Sequence, residues 1–312
     1  MKKNFAIIIF IILIIASSSV FALPAFITEP SSNMTAYLKE KSIFSKYSKK
    51  SITISANEED IREKICLPII MYHKISIDKK GTYMVNQWQL ESDLIAFKKA
   101  GYTTVFPSEI IAYVKQGKKL PSKPLLLTFD DGHYNNLCYA LPLLKKYNAK
   151  ALMNIIGQFS NNSSLAGDSN PAYSHVTWQQ IKELYNSGFF EIGNHSYNMH
   201  NYKPRFGVIQ KKNESSEEYH TCLKEDIEKL QNKLRLCAGI VPKIFAWPFG
   251  EYSINATNIL LSMGFEMFLT CNEGVSFIKK NNPSSLIQLK RINRNGLFST
   301  QELINKINKQ LI

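Results

Sequence analysis

The chain has 312 residues, 45% of them hydrophobic and 20% charged, so it is long and apolar enough to bury a full core. This composition excludes an intrinsically disordered protein and predicts one or two domains. Lysine and arginine number 38 against 25 aspartates and glutamates, an excess of 13 positive charges. The basic residues are scattered, with no arginine-rich stripe, so we predict no nucleic-acid partner. On an exported protein, such a surface suits anionic wall polymers or lipid.

The first 22 residues differ from the rest of the chain. Lys2 and Lys3 precede an apolar run at residues 5–16, and Val20 and Ala22 are small residues suited to a cleavage site. We therefore predict a signal peptide at residues 1–22 and a secreted or cell-surface protein. The apolar run is shorter than the roughly 20 residues that span a bilayer, so an uncleaved membrane anchor is the weaker alternative.

Residues 23–65 are rich in serine, lysine and asparagine and show no sustained hydrophobic period. This predicts a linker ahead of a catalytic domain at residues 66–312. The cysteines form no C-x-x-C pair, which excludes a zinc ribbon and a recognisable disulfide framework. The five cysteines are Cys66, Cys138, Cys222, Cys237 and Cys271. We expect most of them to be buried apolar residues, and one disulfide bond between two of them remains an alternative.

Short apolar runs alternate with helical stretches through this domain. The runs predict strands at residues 67–73, 103–106, 124–129, 149–156, 189–194, 243–247, 265–270 and 286–292. Such alternation predicts an α/β fold with a parallel sheet, either closed as a β/α barrel or open and doubly wound. We favour the barrel, since no glycine-rich dinucleotide loop follows the first strand.

Two helices between these strands have clear sequence signals. Thr177 is a suitable N-cap for the segment "WQQIKELYNS", and Gly188 follows as its stop. The segment at residues 221–236 places four apolar residues on one helical face: Leu223, Ile227, Leu230 and Leu234.

Ionisable or turn residues end four of the predicted strands. Asp130 and Asp131 follow the strand at 124–129, His73 follows "PIIMY", His195 follows "FFEIGN", and the turn "WPFG" follows the strand at 243–247. Active sites of β/α barrels gather at the carboxyl ends of the strands, so we expect these groups to meet.

Two adjacent carboxylates repel each other, and a divalent metal ion bound by one of them would relieve that repulsion. The segment "HSYNMH" supplies His195 and His200, and histidine is the usual companion ligand for zinc. One aspartate with two histidines leaves positions open for water and substrate, while the second aspartate remains as a base. Each motif alone has an ordinary interpretation, because Asp-Asp-Gly is common in turns and single histidines are common in proteins. Their coincidence at strand ends favours a site.

The segments "TFDDG" (128–132), "HSYNMH" (195–200) and "WPFGEY" (247–252) resemble the motifs of the polysaccharide deacetylases, the NodB-homology carbohydrate esterases of family 4. The resemblance covers roughly residues 66–312. The histidine spacing, "MYHKI" and "AWPFGEY" look most like the branch that de-N-acetylates poly-β-1,6-N-acetylglucosamine of biofilms. The resemblance implies a distorted (β/α)7 barrel and a hydrolase of N-acetylglucosamine polysaccharides, and we expect a monomer.

Position by position, the resemblance implies that Asp130 is the general base and that Asp131, His195 and His200 hold one divalent metal ion. Zn²⁺ is the expected ion for such a donor set, and Co²⁺ or Ni²⁺ also fits.

The general acid of most family members is a histidine near the C-terminus, but no histidine follows His220 here. The exopolysaccharide branch supplies this histidine from its first strand, which implies His73. Ala246 stands near the position of the arginine that orients the base. Arg291 can replace it by approaching Asp130, or can form a surface ion pair, and both alternatives stay open.

The turn after the strand at 243–247 is expected to contact the substrate through Trp247, Pro248 and Phe249. The Phe249 N–H is the expected oxyanion donor. Trp247 offers a flat face to a sugar ring, or else belongs to the core.

Three alternatives remain beside this hypothesis. A peptidoglycan deacetylase would use the same chemistry on N-acetylglucosamine or N-acetylmuramic acid. A non-catalytic wall-binding module would lose one of the metal ligands, and all are present here. A metal-dependent nuclease or phosphatase would usually need more carboxylates and a second metal.

Overall fold

The computed structural model describes residues 64–310. The predicted signal peptide and most of the predicted linker, at residues 23–65, lie outside this range. No helix within residues 64–310 has the length and apolar character needed to cross a membrane. The first described strand begins at Lys64, slightly before the domain boundary predicted at residue 66.

The strands within residues 64–310 are β1 (Lys64–Leu67), β2 (Ile69–Tyr72), β3 (Lys74–Ser76), β4 (Met84–Asn86), β5 (Thr103–Thr104), β6 (Pro124–Phe129), β7 (Ala151–Ile155), β8 (Phe190–Asn194), β9 (Ile244–Ala246), β10 (Met267–Glu273), β11 (Ser276–Lys279) and β12 (Leu289–Asn293). Seven of these form a closed parallel barrel in the order β2, β12, β10, β9, β8, β7, β6, with β6 pairing back to β2. The predicted distorted (β/α)7 barrel is confirmed. Strand β5 pairs with the start of β6.

The helices in the same range are α1 (Gln87–Lys99), α2 (Pro107–Gln116), α3 (Leu141–Tyr147), α4 (Gly157–Ala166), α5 (Trp178–Asn186), α6 (Ser216–Ala238), α7 (Ile254–Ser262) and α8 (Thr300–Lys309). A π-helical turn at Asn136–Ala140 and 3-10 turns at Pro248–Gly250 and Pro283–Leu286 complete them. The Thr177 side chain accepts the Gln180 N–H at 3.2 Å, and Gly188 follows with a φ of 75°, as predicted for the ends of α5.

Most strand predictions match observed strands, and β6 matches to the residue. Strands β1, β3, β4 and β11 were not predicted, because they are short and form two small sheets outside the barrel. The predicted apolar face of α6 is buried, and the helix begins earlier than predicted because Ser215 caps it. All five cysteines are free and none is fully buried, so the expectation of buried cysteines is wrong.

Successive side chains of β6 enter different parts of the core. Leu125, Leu127 and Phe129 pack with residues of the surrounding helices. Leu126 packs with side chains of the other barrel strands. Because side chains of a strand alternate between its faces, Asp130 continues the Leu126 face into the end of the barrel.

Candidate active site

The carboxylate of Asp131 lies beside the two imidazoles predicted with it. Asp131 Oδ1 is 3.6 Å from His195 Nε2 and 3.8 Å from His200 Nε2. One ligand atom from each of the three residues lies within 4.8 Å of the others. Neighbouring ligands of a tetrahedral zinc ion are roughly 3.4 Å apart when each bond is about 2.1 Å. The two carboxylate–imidazole distances are close to this value, and the three groups together form a candidate site for one metal ion.

The hydrogen-bonding state of Asp131 and His195 is also compatible with a bound metal ion. Asp131 Oδ1 is buried and has no hydrogen-bond partner, a costly state for a carboxylate oxygen unless an ion faces it. His195 Nδ1 lies 2.7 Å from the Ala246 carbonyl oxygen and donates to it, which turns the Nε2 lone pair toward Asp131. Burial lowers the pKa of His195 to about 4, so the ring is neutral at pH 7, as a metal ligand must be.

Asp131 and Gly132 both have left-handed backbone angles, with φ of 69° and 71°. A Cβ at Gly132 would lie 3.0 Å from Ile155 Cδ1, so this close contact and the positive φ both favour glycine. Asp-Asp-Gly is thus a turn and also part of the candidate site. The turn directs the carboxylate of Asp131 toward the histidines, whereas Asp130 has different partners.

Asp130 is fully buried and held by two side chains. Arg291 Nη1 donates to Asp130 Oδ1 at 2.9 Å, Arg291 Nη2 lies 2.8 Å from Oδ2, and Asn154 Nδ2 donates to Oδ1 at 2.7 Å. Burial alone would raise the pKa of Asp130, but Arg291, His195 and His73 outweigh it and hold the pKa below its ordinary value. Arg291 has no exposed surface, which excludes the surface ion pair. Asn154 was not predicted.

His73 directly follows β2, is half-buried, and lines the same cleft as Asp131. Its Nδ1 has no hydrogen-bond partner, and its ring lies 4.8 Å from that of Tyr83. Burial lowers the pKa of His73, and the charges of Asp131 and Asp130 partly offset that effect.

His133 is a site residue that the sequence interpretation missed. Its Nε2 lies 3.3 Å from Asp131 Oδ2, the oxygen that does not face His195 and His200. The ring of His175 packs on it at 4.7 Å. His133 directly follows "TFDDG" and is two residues from Asp131 in the sequence. This short separation is the one sequence feature that could have indicated its place in the site. Its contact fixes the orientation of the Asp131 carboxylate.

The loop that carries His195 and His200 is held by side chains that were also missed. The Asp226 carboxylate, on α6, accepts the N–H groups of Tyr197 at 2.7 Å and Asn198 at 2.8 Å. Ser196, with a φ of 68°, accepts the Met199 N–H on its Oγ. Asp226 is one of many charged residues on α6, so nothing in the helical pattern distinguishes it.

The predicted substrate contacts at the "WPFG" turn need correction. Trp247 is fully buried, with its ring stacked 5.5 Å from that of Phe268 and edge-on to Phe245 at 4.9 Å. A sugar platform on Trp247 is therefore wrong, and the ring belongs to the core. Pro248 is buried as well. Phe249 is half-buried, has a φ of 59°, and places its ring 4.2 Å from that of His200.

Most of the predicted site residues line one open cleft of about 890 Å³, a size typical of ligand sites, but Arg291 and Pro248 do not. Its lining includes His73, Asp130, Asp131, His195, His200 and Phe249.

A closed parallel barrel with carboxylates and imidazoles at the carboxyl ends of its strands defines an α/β-barrel protein with a candidate metal centre. Residues 117–268 match the family model described as polysaccharide deacetylase. The chain therefore carries a polysaccharide deacetylase domain, and the enzymes of this family are hydrolases.

Curated relatives agree with this family, and a solved structure agrees with the fold. The chain is 27% identical over 214 residues to the poly-β-1,6-N-acetyl-D-glucosamine N-deacetylase of Escherichia coli K12, covering 62% of this chain but only 31% of that protein. It is 24% identical over 227 residues to the enzyme of the same name from Staphylococcus aureus MRSA252, covering 72% and 74%. A de-N-acetylase structure from Aggregatibacter actinomycetemcomitans shares the fold, with a TM-score of 0.66, 21% identity and coverage of 78% and 100%.

Proposed function

We propose that this protein is a metal-dependent N-deacetylase of an extracellular polysaccharide built from N-acetylglucosamine, with poly-β-1,6-N-acetylglucosamine as substrate. The observation that carries the proposal is the convergence of Asp131, His195 and His200 beside the Arg291-bound carboxylate of Asp130. The names of the E. coli and S. aureus relatives support the choice of polymer. The excess of 13 positive charges suits a protein exported to an anionic cell surface.

Asp131, His195 and His200 would hold the metal ion, with Zn²⁺ as the first choice for one carboxylate and two imidazoles. A bound ion of this kind polarises the acetyl carbonyl and acidifies water. His133, at 3.3 Å from Asp131 Oδ2, would keep the carboxylate turned toward the two histidines.

Three groups of the chain would then carry the reaction. Asp130, kept anionic by Arg291, takes a proton from the water that attacks the acetyl carbon. The Phe249 N–H donates a hydrogen bond to the oxyanion that develops on the carbonyl oxygen. His73 gives a proton to the nitrogen as the C–N bond breaks, so the products are acetate and a glucosamine unit.

We expect the purified protein to release acetate from poly-β-1,6-N-acetylglucosamine, and chelation to lower that rate about hundredfold, since a catalytic metal supplies several kcal/mol of stabilisation. An enzymatic acetate assay, with Zn²⁺ added back after chelation, measures this. A parallel assay uses peptidoglycan as the substrate in place of poly-β-1,6-N-acetylglucosamine. Acetate from peptidoglycan alone would assign the competing substrate, and a rate insensitive to chelator would contradict the metal-dependent mechanism.

We expect Asp226→Ala to weaken Zn²⁺ binding by about 10- to 100-fold, as for other residues that orient metal ligands. Removing this carboxylate leaves the N–H groups of Tyr197 and Asn198 without their acceptor and loosens the loop that carries both histidines. Competition with a chromophoric chelator measures the dissociation constant. Glu225→Ala, an exposed neighbour on α6, is the control. Equal affinity in the two variants would show that Asp226 does not support the loop.

A further inference from the structure

Three aromatic rings form an exposed stack beside the candidate metal centre. The ring of Phe249 lies 4.6 Å from that of Tyr202 and 5.0 Å from that of Phe206, with interplanar angles of 27° and 4°. The rings of Tyr202 and Phe206 lie 5.8 Å apart. Tyr202 is 73% exposed and Phe206 41% exposed. We call these three residues the aromatic stack.

The stack does not belong to the packing of the fold. None of its residues is part of the three buried core clusters described for residues 64–310. Exposed aromatic area of this size stabilises the monomer little, and contiguous exposed apolar surface commonly marks a binding site.

The stack is also held in place rather than left on a free loop. The Gly207 N–H donates to the Asn201 carbonyl at 3.0 Å, which closes the loop that carries Tyr202 and Phe206. A side chain at Gly207 would lie 3.1 Å from the Pro248 carbonyl oxygen, so this loop is packed closely on the "WPFG" turn. Rigid aromatic rings bind with little loss of conformational entropy.

The position of the stack points to its ligand. The Phe249 ring contacts the His200 ring at 4.2 Å between centroids, and all three stack residues line the same cleft as Asp130 and Asp131. A group bound on the stack would therefore be the neighbour of a group that reacts at the metal centre.

We propose that the aromatic stack is a subsite for a sugar ring adjacent to the unit that is deacetylated. This inference rests on the proposed function. A β-linked glucosamine ring carries its polar substituents at the equator, so its two faces are C–H surfaces. Those hydrogens, with partial positive charge, suit the negative face of an aromatic ring. A neighbouring unit of the same polymer is thus the occupant that both the chemistry and the continuity of the cleft favour.

The subsite predicts that Tyr202→Ala combined with Phe206→Ala affects long substrates more than short ones. For a β-1,6-linked N-acetylglucosamine pentasaccharide, kcat/KM should fall about tenfold or more, mainly through KM. The loss for a small chromogenic acetate ester should be at least several-fold smaller. Tyr185→Ala with Phe277→Ala, two exposed aromatic residues that do not line the cleft, is the matched control.

Three outcomes would overturn the subsite. Equal losses on the pentasaccharide and the ester would mean that the rings support the metal centre instead. A pentasaccharide kcat/KM equal to that of the control would mean that the rings bind no sugar. Loss of self-association, or of binding to phosphatidylglycerol vesicles, in the double variant alone would assign the stack to a second copy or to lipid.

A failure of the proposed function can be distinguished from a failure of the subsite. If the wild-type protein releases no acetate, co-sedimentation of metal-free protein with poly-β-1,6-N-acetylglucosamine still tests the stack. Retention of the wild type and the control but not of the double variant supports the subsite without any catalysis. Equal retention of all three proteins rejects it.

Discussion

Replacing Asp130 by asparagine is expected to lower the rate of acetate release about 10²- to 10⁴-fold, the usual contribution of a general base. Asparagine has nearly the same shape and can still accept from Asn154 Nδ2. It cannot take a proton from water. Because Asp131 and the histidines are untouched, the affinity for Zn²⁺ should remain within a few-fold of the wild type.

This substitution also leaves the buried Arg291 guanidinium without its counter-charge, so its fold must be checked separately. Thermal unfolding and Zn²⁺ titration of the variant provide that check. Asp78→Asn, an exposed carboxylate on the loop after β3, is the control and should keep full activity. A folded, zinc-binding Asp130→Asn protein with more than a tenth of the wild-type rate would remove Asp130 from the role of base.

The alternation of strands and helices and the bounds of β6 could be predicted because both depend on local patterns, whereas the seven-stranded barrel was implied by the family resemblance. Strand β6 is a continuous apolar run between a proline and two carboxylates, and its bounds were predicted to the residue. Parallel strands bring their carboxyl ends to one rim, so Asp131 and His195 could be placed together without coordinates.

The residues that were not predicted make their contacts with residues distant in the sequence, so no local sequence pattern indicates them. Asn154 is in the middle of an apolar strand, and only the pairing of β6 with β7 brings it to Asp130. Tyr202 and Phe206 lie in a loop without periodicity, so their stacking depends on the backbone. The two alternatives for Trp247 could not be separated from the sequence, because a residue just past a strand end can turn either to the cleft or to the core. In the structure its ring packs on that of Phe268, in the core.

A second set of buried charges supports the barrel away from the candidate metal centre. Arg294, just after β12, donates from Nε to Asp93 Oδ2 at 2.7 Å, and both side chains are almost fully buried. Asp93 Oδ2 also accepts from Tyr72 Oη at 2.9 Å, and Oδ1 from Thr300 Oγ1 at 2.6 Å. This network joins α1 and α8 to strand β2, whose next residue is His73.

We expect Asp93→Ala to lower the free energy of unfolding by about 3–5 kcal/mol, the usual result of removing one partner of a buried ion pair. The Arg294 charge would remain buried without a carboxylate, and Tyr72 and Thr300 would lose their acceptor. Urea unfolding followed by circular dichroism measures the change as a lower midpoint with an unchanged slope. Glu91→Ala is the control on the same helix. Glu91 forms a partly exposed pair with Lys146 at 2.6 Å, and such pairs contribute about 1 kcal/mol or less.

Combining Asp93→Ala with Arg294→Met separates the buried charge from the loss of packing. If the unpaired guanidinium causes most of the loss, the double variant should be destabilised by less than the sum of the single variants, because neither charge is then left alone. Additive losses, or an Asp93→Ala protein as stable as Glu91→Ala, would contradict this account. Since the same network anchors the strand before His73, Asp93→Ala should also lower the rate of acetate release in the folded protein, whereas Glu91→Ala should not.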